Sequence, residues 1–290
     1  MASNGSIQLG SLRVEDFTDI YLTGFDPGTE SVETSDLDNP VFDDTYAGVD
    51  MFRAPTWTFT IDVKGRTAAE VLERVDQVKR VWRNPAWAKK GGELAELRYT
   101  LAGRDRVVYG RPRRFACNPT VTSRRGYAVI TADFQLMDPL IYDHRWQKVR
   151  LDMVPAAMRG LKEPLVEPLS TGGFSQRQGV IGEVGGTAPT PFMIDITAGS
   201  GGLIANPFVS INNNRYEFVT EVREGRTLRV DSRKGTAGVG STNVLSTMRK
   251  RTRLKSVRLP NGAVEVSFGG VNPALDAYAT FWWRPAYYSL

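Results

Sequence analysis

Two stretches alternate apolar and polar residues with a period of two, and that alternation restricts what the chain can become. Trp57, Phe59, Ile61 and Val63 are separated by Thr58, Thr60 and Asp62. Ala128, Ile130, Ala132, Phe134 and Leu136 are interleaved with Val129, Thr131, Asp133 and Gln135. A strand turns successive side chains to opposite faces, so each stretch is expected as a strand with one face in a core and one in solvent. Shorter strand candidates are Leu97–Leu101, Arg106–Tyr109 and Arg114–Cys117. One segment breaks the period: Val71, Leu72, Val75, Val78 and Trp82 recur at helical spacing. A helix is therefore predicted over 67–82, with Thr67 and Glu70 forming a capping box and Pro85 ending the helical region. Leu72, Val75, Val78 and Trp82 are expected to anchor it on the sheet.

Past residue 150 the texture changes. Residues 153–191 carry Pro155, Pro164, Pro168, Pro189 and Pro191 and seven glycines, a connector composition. Short strands follow, at Phe192–Thr197, Phe208–Asn212, Tyr216–Val222, Thr227–Asp231, Ala263–Phe268 and Tyr278–Trp283, with Asn261-Gly262 and Gly269-Gly270 as turn dipeptides. That spacing without a helical period predicts an antiparallel sandwich. The chain is expected to be mainly β. Residues 1–152 would form an N-terminal β-barrel or sandwich with one helix, and residues 153–290 a linker plus a C-terminal β-sandwich.

With 290 residues, 41% hydrophobic and 24% charged, the composition is globular. No stretch approaches the roughly 20 apolar residues of a membrane span. Met1–Leu12 is polar and predicts no signal peptide. A single cysteine, Cys117, forbids an intrachain disulfide and fits a reducing compartment. A single histidine, His144, removes Cys/His zinc sites and His-based metalloprotease helices.

The net charge of +5 hides a segregation. From 1 to 50 the only base is Arg13, against eleven acids that include Asp36, Asp38, Asp43 and Asp44. From 103 to 125 the sign reverses, with Arg104, Arg106, Arg111, Arg113, Arg114, Arg124 and Arg125 against Asp105. A second basic run spans 249–258. No helix-turn-helix, zinc-finger or RNP pattern accompanies the basic runs, so no specific nucleic-acid binding is expected. A chain with one acidic and one basic surface is instead suited to head-to-tail association with its own copies. The candidate assembly surface is therefore Arg111, Arg113, Arg114, Arg124 and Arg125 on one side and Asp36, Asp38, Asp43 and Asp44 on the other.

No pattern for catalysis, cofactor or metal emerges, so none is expected. There is no phosphate-binding G-x-x-x-x-G-K-[ST] and no G-x-S-x-G elbow. Reading Asp36 as the start of a calcium loop puts Val41 where glycine is needed and Ala47 where glutamate is needed. Asp143 and His144 are adjacent and on a strand would point to opposite faces. A glycosidase needs two carboxylates across a cleft, and nothing in the sequence selects a pair. The closing aromatics Trp282, Trp283, Tyr287 and Tyr288 suit either sugar stacking or a terminal core strand, and Arg284-Pro285 should end the ladder.

Four stretches of the second half carry a family resemblance: 191–199 (PFMIDITAG), 206–212 (NPFVSIN), 227–233 (TLRVDSR), and 259–262 (LPNG) with the strand Ala263–Phe268 and the closing 281–287 (FWWRPAY). In order and spacing they resemble the distal tail proteins of long-tailed bacteriophages, minor tail proteins of actinobacterial phages. The resemblance implies a tail-tube-like first domain, a galectin-like second domain and no catalytic residues. It implies a virion protein, made in the host cytoplasm, that forms a hexameric ring at the distal end of the tail tube. Its implied partners are the tail-tube protein, the tape-measure protein, the tail-tip hub and other minor tail proteins. The alternatives are a carbohydrate-binding sandwich that recognises host-surface glycans, a glycosidase-type enzyme, and a tail-tube protein proper.

Overall fold

A computed structural model describes residues 5–16, 18–118, 126–153, 179–200, 202–212, 214–249, 253–272 and 276–290. The chain divides into two units, Met1–His144 with Tyr288–Leu290, and Arg145–Tyr287. The boundary lies after His144 rather than after Asp152. Gln147–Asp152 forms a strand that pairs along its whole length with Tyr278–Trp283, and those hydrogen bonds commit it to the second unit. Most of the expected connector, 154–178, lies outside the described residues.

Among its described residues the first unit holds β1 Ser6–Leu9, β2 Leu12–Val14, β3 Ile20–Asp26, β4 Ser31–Glu33, β5 Leu37–Asp38, β6 Thr45–Tyr46, β7 Met51–Arg53, β8 Thr56–Lys64, β9 Ala95–Leu101, β10 Arg104–Cys117, β11 Tyr127–Leu136 and β12 Ile141–Asp143. Its main sheet is antiparallel, in the order β2-β1-β9-β10-β11-β8-β3, and β12 pairs with β10. Strands β8 and β11 match the alternation read from the sequence, with Trp57, Phe59, Ile61, Val63, Ala128, Ile130, Ala132, Phe134 and Leu136 all buried. The two short candidates around Pro112 are one long strand, β10. Its register against β11 shifts between Pro112 and Phe115, so a bulge absorbs the proline and the ladder continues.

Helix α1 spans Ala68–Trp82 with Thr67 as N-cap, its hydroxyl accepting from the Glu70 amide. The Glu70 carboxylate accepts from the amide of Arg66, one residue before the cap. Val71, Val75, Val78 and Trp82 form the buried face. Leu72, expected as an anchor, is 41% exposed. It lies about 100° around the helix from Val71, off the stripe that faces the sheet. Trp82 meets Phe59 and Phe134 edge-on, both at 6.4 Å between ring centres. Pro85 does not end helical structure. Asn84 caps a single turn, α2 (Pro85–Ala88), with the proline at its first position, where a missing N–H costs nothing.

The second unit holds β13 Gln147–Asp152, β14 Val180–Ile181, β15 Phe192–Thr197, β16 Leu203–Ile211, β17 Asn214–Glu217, β18 Glu221–Arg223, β19 Thr227–Asp231, β20 Thr236–Val239, β21 Thr242–Asn243, β22 Val264–Val271, β23 Tyr278–Trp283 and β24 Ala286–Tyr287. One sheet runs β13-β23-β15-β19-β20-β21, and the other runs β14-β22-β16-β17 with β18 also on β16. Phe192, Ile194 and Ile196 from the first, Val264, Val266 and Phe268 from the second, and Phe281 belong to one apolar core, which makes the unit an antiparallel sandwich. The expected strand Tyr216–Val222 is two strands, β17 and β18, which both pair with β16. Gly269-Gly270 is not a turn but part of β22. A Cβ at Gly269 would stand 2.5 Å from the Phe208 ring, and one at Gly270 2.7 Å from Ile204, so the glycines let β16 lie close. Asn261-Gly262 does turn, with Gly262 at φ 83°. The chain is thus mainly β, built of antiparallel sheets in two units.

Candidate assembly surface

Between β3 and β8 the chain leaves the sheet as an arm. The β3–β8 ladder continues into β4–β7, pairing Ser31 with Arg53, Val32 with Phe52 and Glu33 with Met51, and then into β5–β6, pairing Leu37 with Tyr46 and Asp38 with Thr45. Every residue of these four short strands is exposed. The arm carries Val32, Leu37, Val41, Phe42, Tyr46, Val49, Met51 and Phe52, each between 48% and 73% exposed. Large apolar side chains scattered singly over a surface are ordinary, whereas eight on one arm make a candidate contact surface.

The acidic residues of this arm divide into two kinds. Asp36 accepts from the amide of Gly48 at 2.7 Å. Asp44 accepts from the Asn39 side-chain amide at 2.6 Å, while the Asn39 and Asp44 backbones also bond. These two carboxylates build the tip. Asp38 and Asp43 have no side-chain partner among the described residues and carry free charge. Lower on the arm, Arg53 donates twice to Glu33 Oε2, at 2.6 and 3.0 Å.

On the basic side, Arg111 is committed internally. Its guanidinium donates to the carbonyls of Glu93 and Lys90, which pins the loop before β9 to β10. Arg113 is exposed and donates to Gln135 across the ladder, and Arg114 is exposed without a side-chain partner among the described residues. Arg124 and Arg125 lie outside the described residues. The structure therefore keeps Arg113, Arg114, Asp38 and Asp43 as free or surface charge, and gives Arg111, Asp36 and Asp44 internal work. Sequence reasoning took the acids as the site and passed over the apolar residues between them. The signal was there, because eight large apolar residues interrupt an acid-rich stretch that has no period.

Other groups are accounted for. The Asp143 carboxylate pairs with Arg106 at 3.2 Å, and the His144 amide bonds the Asp105 carbonyl. Burial pushes the Cys117 thiol above its ordinary pKa, with Lys79 opposing. Among the described residues no group of three or more His, Cys, Asp and Glu is placed to hold a metal ion. No helix is long and apolar enough to cross a membrane among those residues.

In the second unit the closing aromatics separate. Trp283 is buried and its indole donates to the Val184 carbonyl at 2.9 Å. Trp282 is half-buried on the opposite face of β23, together with Thr280 and Tyr278. That face continues across the ladder through Thr280, Asp195, Arg229 and Gly238 in one row, and through Tyr278, Thr197 and Thr227 in the next. An open groove of about 590 Å³ runs over it. The ladder ends at Trp283, and Arg284 and Pro285 separate it from β24.

No family model matches the chain, and no curated protein matches it. Solved structures do. The Dit protein (gp 19.1) of phage SPP1, described as a paradigm of the hub adsorption apparatus in phages that infect Gram-positive bacteria, aligns with TM-score 0.59 and 11% identity, over 97% of this chain and 98% of its own. A chain of the phage P2 baseplate in its activated conformation with Ca aligns with TM-score 0.57 and 13% identity, over 98% of each chain. The same baseplate with Sr gives the same values. This chain therefore shares, over nearly its whole length, the fold of phage Dit and baseplate hub proteins.

Proposed function

We propose that the chain is a structural component of a bacteriophage tail, forming a homo-oligomeric ring, with six copies as the working number, at the distal end of the tail tube. There it links the tube to the tip, in contact with the tube, tape-measure and tip-hub proteins. It acts by assembly and not as an enzyme. The observation that carries this reading is the arm of residues 27–55, whose apolar side chains stand exposed among the described residues. An exposed apolar arm whose charged residues are all acidic except Arg53, itself paired with Glu33, and exposed arginines elsewhere in the same unit, suit contact with another copy. The whole-length fold likeness to phage hub proteins supports the setting.

Mass photometry over rising protein concentration, with negative-stain imaging, tests it. A closed ring of six 32.2 kDa chains weighs about 190 kDa and shows sixfold end views. Long tubes would indicate a tube protein instead. A monomer at every concentration, unable to bind isolated tail tubes, would sink the ring reading. A second reading, recognition of host-surface glycans by the second unit, is favoured by one observation, the groove beside Trp282.

A further inference from the structure

The outward face of the β13-β23-β15-β19-β20-β21 sheet has a chemistry that a merely solvated face does not require. The Asp195 carboxylate takes two parallel bonds from Arg229, Nε to Oδ1 and Nη2 to Oδ2, both 2.7 Å. Asp195 is mostly enclosed, its side chain 19% exposed, whereas the Arg229 side chain is 62% exposed. This fork holds an acceptor and a donor side by side in fixed geometry, with lone pairs and N–H groups left over. Thr197 and Thr227 share a hydroxyl–hydroxyl bond of 3.1 Å one row away. Opposite Arg229 stands Gly238, so no side chain fills the groove on that flank.

Two aromatic residues bracket the polar row. Trp282 and Tyr278 are four residues apart on β23, about 13 Å along the strand, with the small Thr280 between them. Lys148 stands over the Trp282 ring at 5.5 Å and Arg150 over the Tyr278 ring at 3.9 Å. Arg150 is in turn paired with Asp152 at 2.9 Å. Asp195 with Arg229 and Asp152 with Arg150 are thus matched in pairs, while Lys148 and Arg226, the latter also lining the groove, have no carboxylate partner among the described residues. The Asp195–Arg229 pair at its centre is matched, which leaves neutral hydrogen bonding and ring stacking as the means of recognition at that point of the groove.

We propose that this groove binds a neutral pyranosyl unit of an oligosaccharide. A pyranose presents an apolar face of C–H groups that stacks on Trp282. It also presents vicinal hydroxyls, each a donor and an acceptor, that match the Asp195–Arg229 fork. A second sugar reaches toward Tyr278 past Thr280. A protein partner fits less well, because the groove lacks the dry apolar centre on which protein contacts depend. The proposal deepens the glycan reading and is independent of ring assembly.

The test uses the full chain on an array of neutral hexose and N-acetylhexosamine oligosaccharides. Saturation-transfer NMR with chitotriose, maltotriose and β-galactotriose follows. Wild-type protein should bind at least one probe. Trp282→Ala and Asp195→Asn should each weaken that binding by about tenfold or more, equivalent to about 1.4 kcal/mol. Circular dichroism and mass photometry should report an unchanged fold and oligomer for both variants. Failure of the array and all three probes overturns the proposal. Binding that survives both substitutions overturns the site while leaving glycan recognition elsewhere on the chain, and loss of oligomer in wild type bears on the ring reading alone.

Discussion

Strands β3 and β8 and the arm that grows out of them are one continuous antiparallel hairpin with two fates. In the sheet, Phe25, Trp57 and Phe59 pack within 5.1–6.3 Å of one another, and Trp57 meets Tyr99 edge-on at 5.0 Å. In the arm, Phe42 and Phe52, rings of the same size, are 70% and 62% exposed. Strand pairing alone does not create burial; a second layer does. The sheet has α1 and its own aromatics as that layer. The arm has none among the described residues of its unit, so its second layer must come from another chain, or its apolar residues stand as an aggregation liability.

Four experiments break or sharpen this contrast. The largest effect is expected on replacing residues 29–54 by a short Asn-Gly turn, which removes the arm and leaves β3 paired with β8. Oligomers seen by mass photometry should vanish while the thermal midpoint of the monomer stays put. A fall in that midpoint would mean the arm belongs to the fold. Next, Trp82→Ala should destabilise the monomer by about 3–5 kcal/mol in denaturant titration, because it empties a fully enclosed site under α1. The Trp82 indole N–H is buried without a partner, so Trp82→Phe should cost much less than Trp82→Ala. Equal losses from the two would show that packing volume is not what Trp82 contributes.

Third, Arg113→Glu with Arg114→Glu should weaken assembly several-fold in analytical ultracentrifugation and flatten its salt dependence, with the monomer still folded. Unchanged assembly would assign those arginines to solvent or to another partner. The smallest effect is expected for Leu72→Ala, within about 0.5 kcal/mol, as for exposed positions generally. Val78→Ala, on the buried face of the same helix, should cost about 2 kcal/mol. A Leu72 loss matching that of Val78 would restore Leu72 as an anchor.

What was readable in the sequence follows the same contrast. The strands β8, β11, β15, β19 and β23 were legible because one face of each is in a core, and burial is what writes a period of two. The arm was illegible as structure because both its faces are exposed and no period is imposed on it. Two further misreadings had local causes. Arg106–Tyr109 and Arg114–Cys117 read as two short strands but are one strand that a bulge carries past Pro112, and Gly269-Gly270 resembles a turn but serves close approach of Phe208 and Ile204. The site was legible only as charge. Which acids are free, Asp38 and Asp43, and which build the tip, Asp36 and Asp44, depends on backbone positions that composition does not carry.

The arm also places its charge far from the body of its unit. From Asp26 to Val41 is fifteen residues, a reach of up to about 50 Å if straight, and no Lys or Arg occurs between Val14 and Phe52. Negative charge carried out on such an arm would give the unit an electric dipole. Two copies drifting together would rotate into alignment before they touch, so the arm would set the rate of encounter as well as the strength of the final contact. Raising the salt would then slow association more than it speeds dissociation.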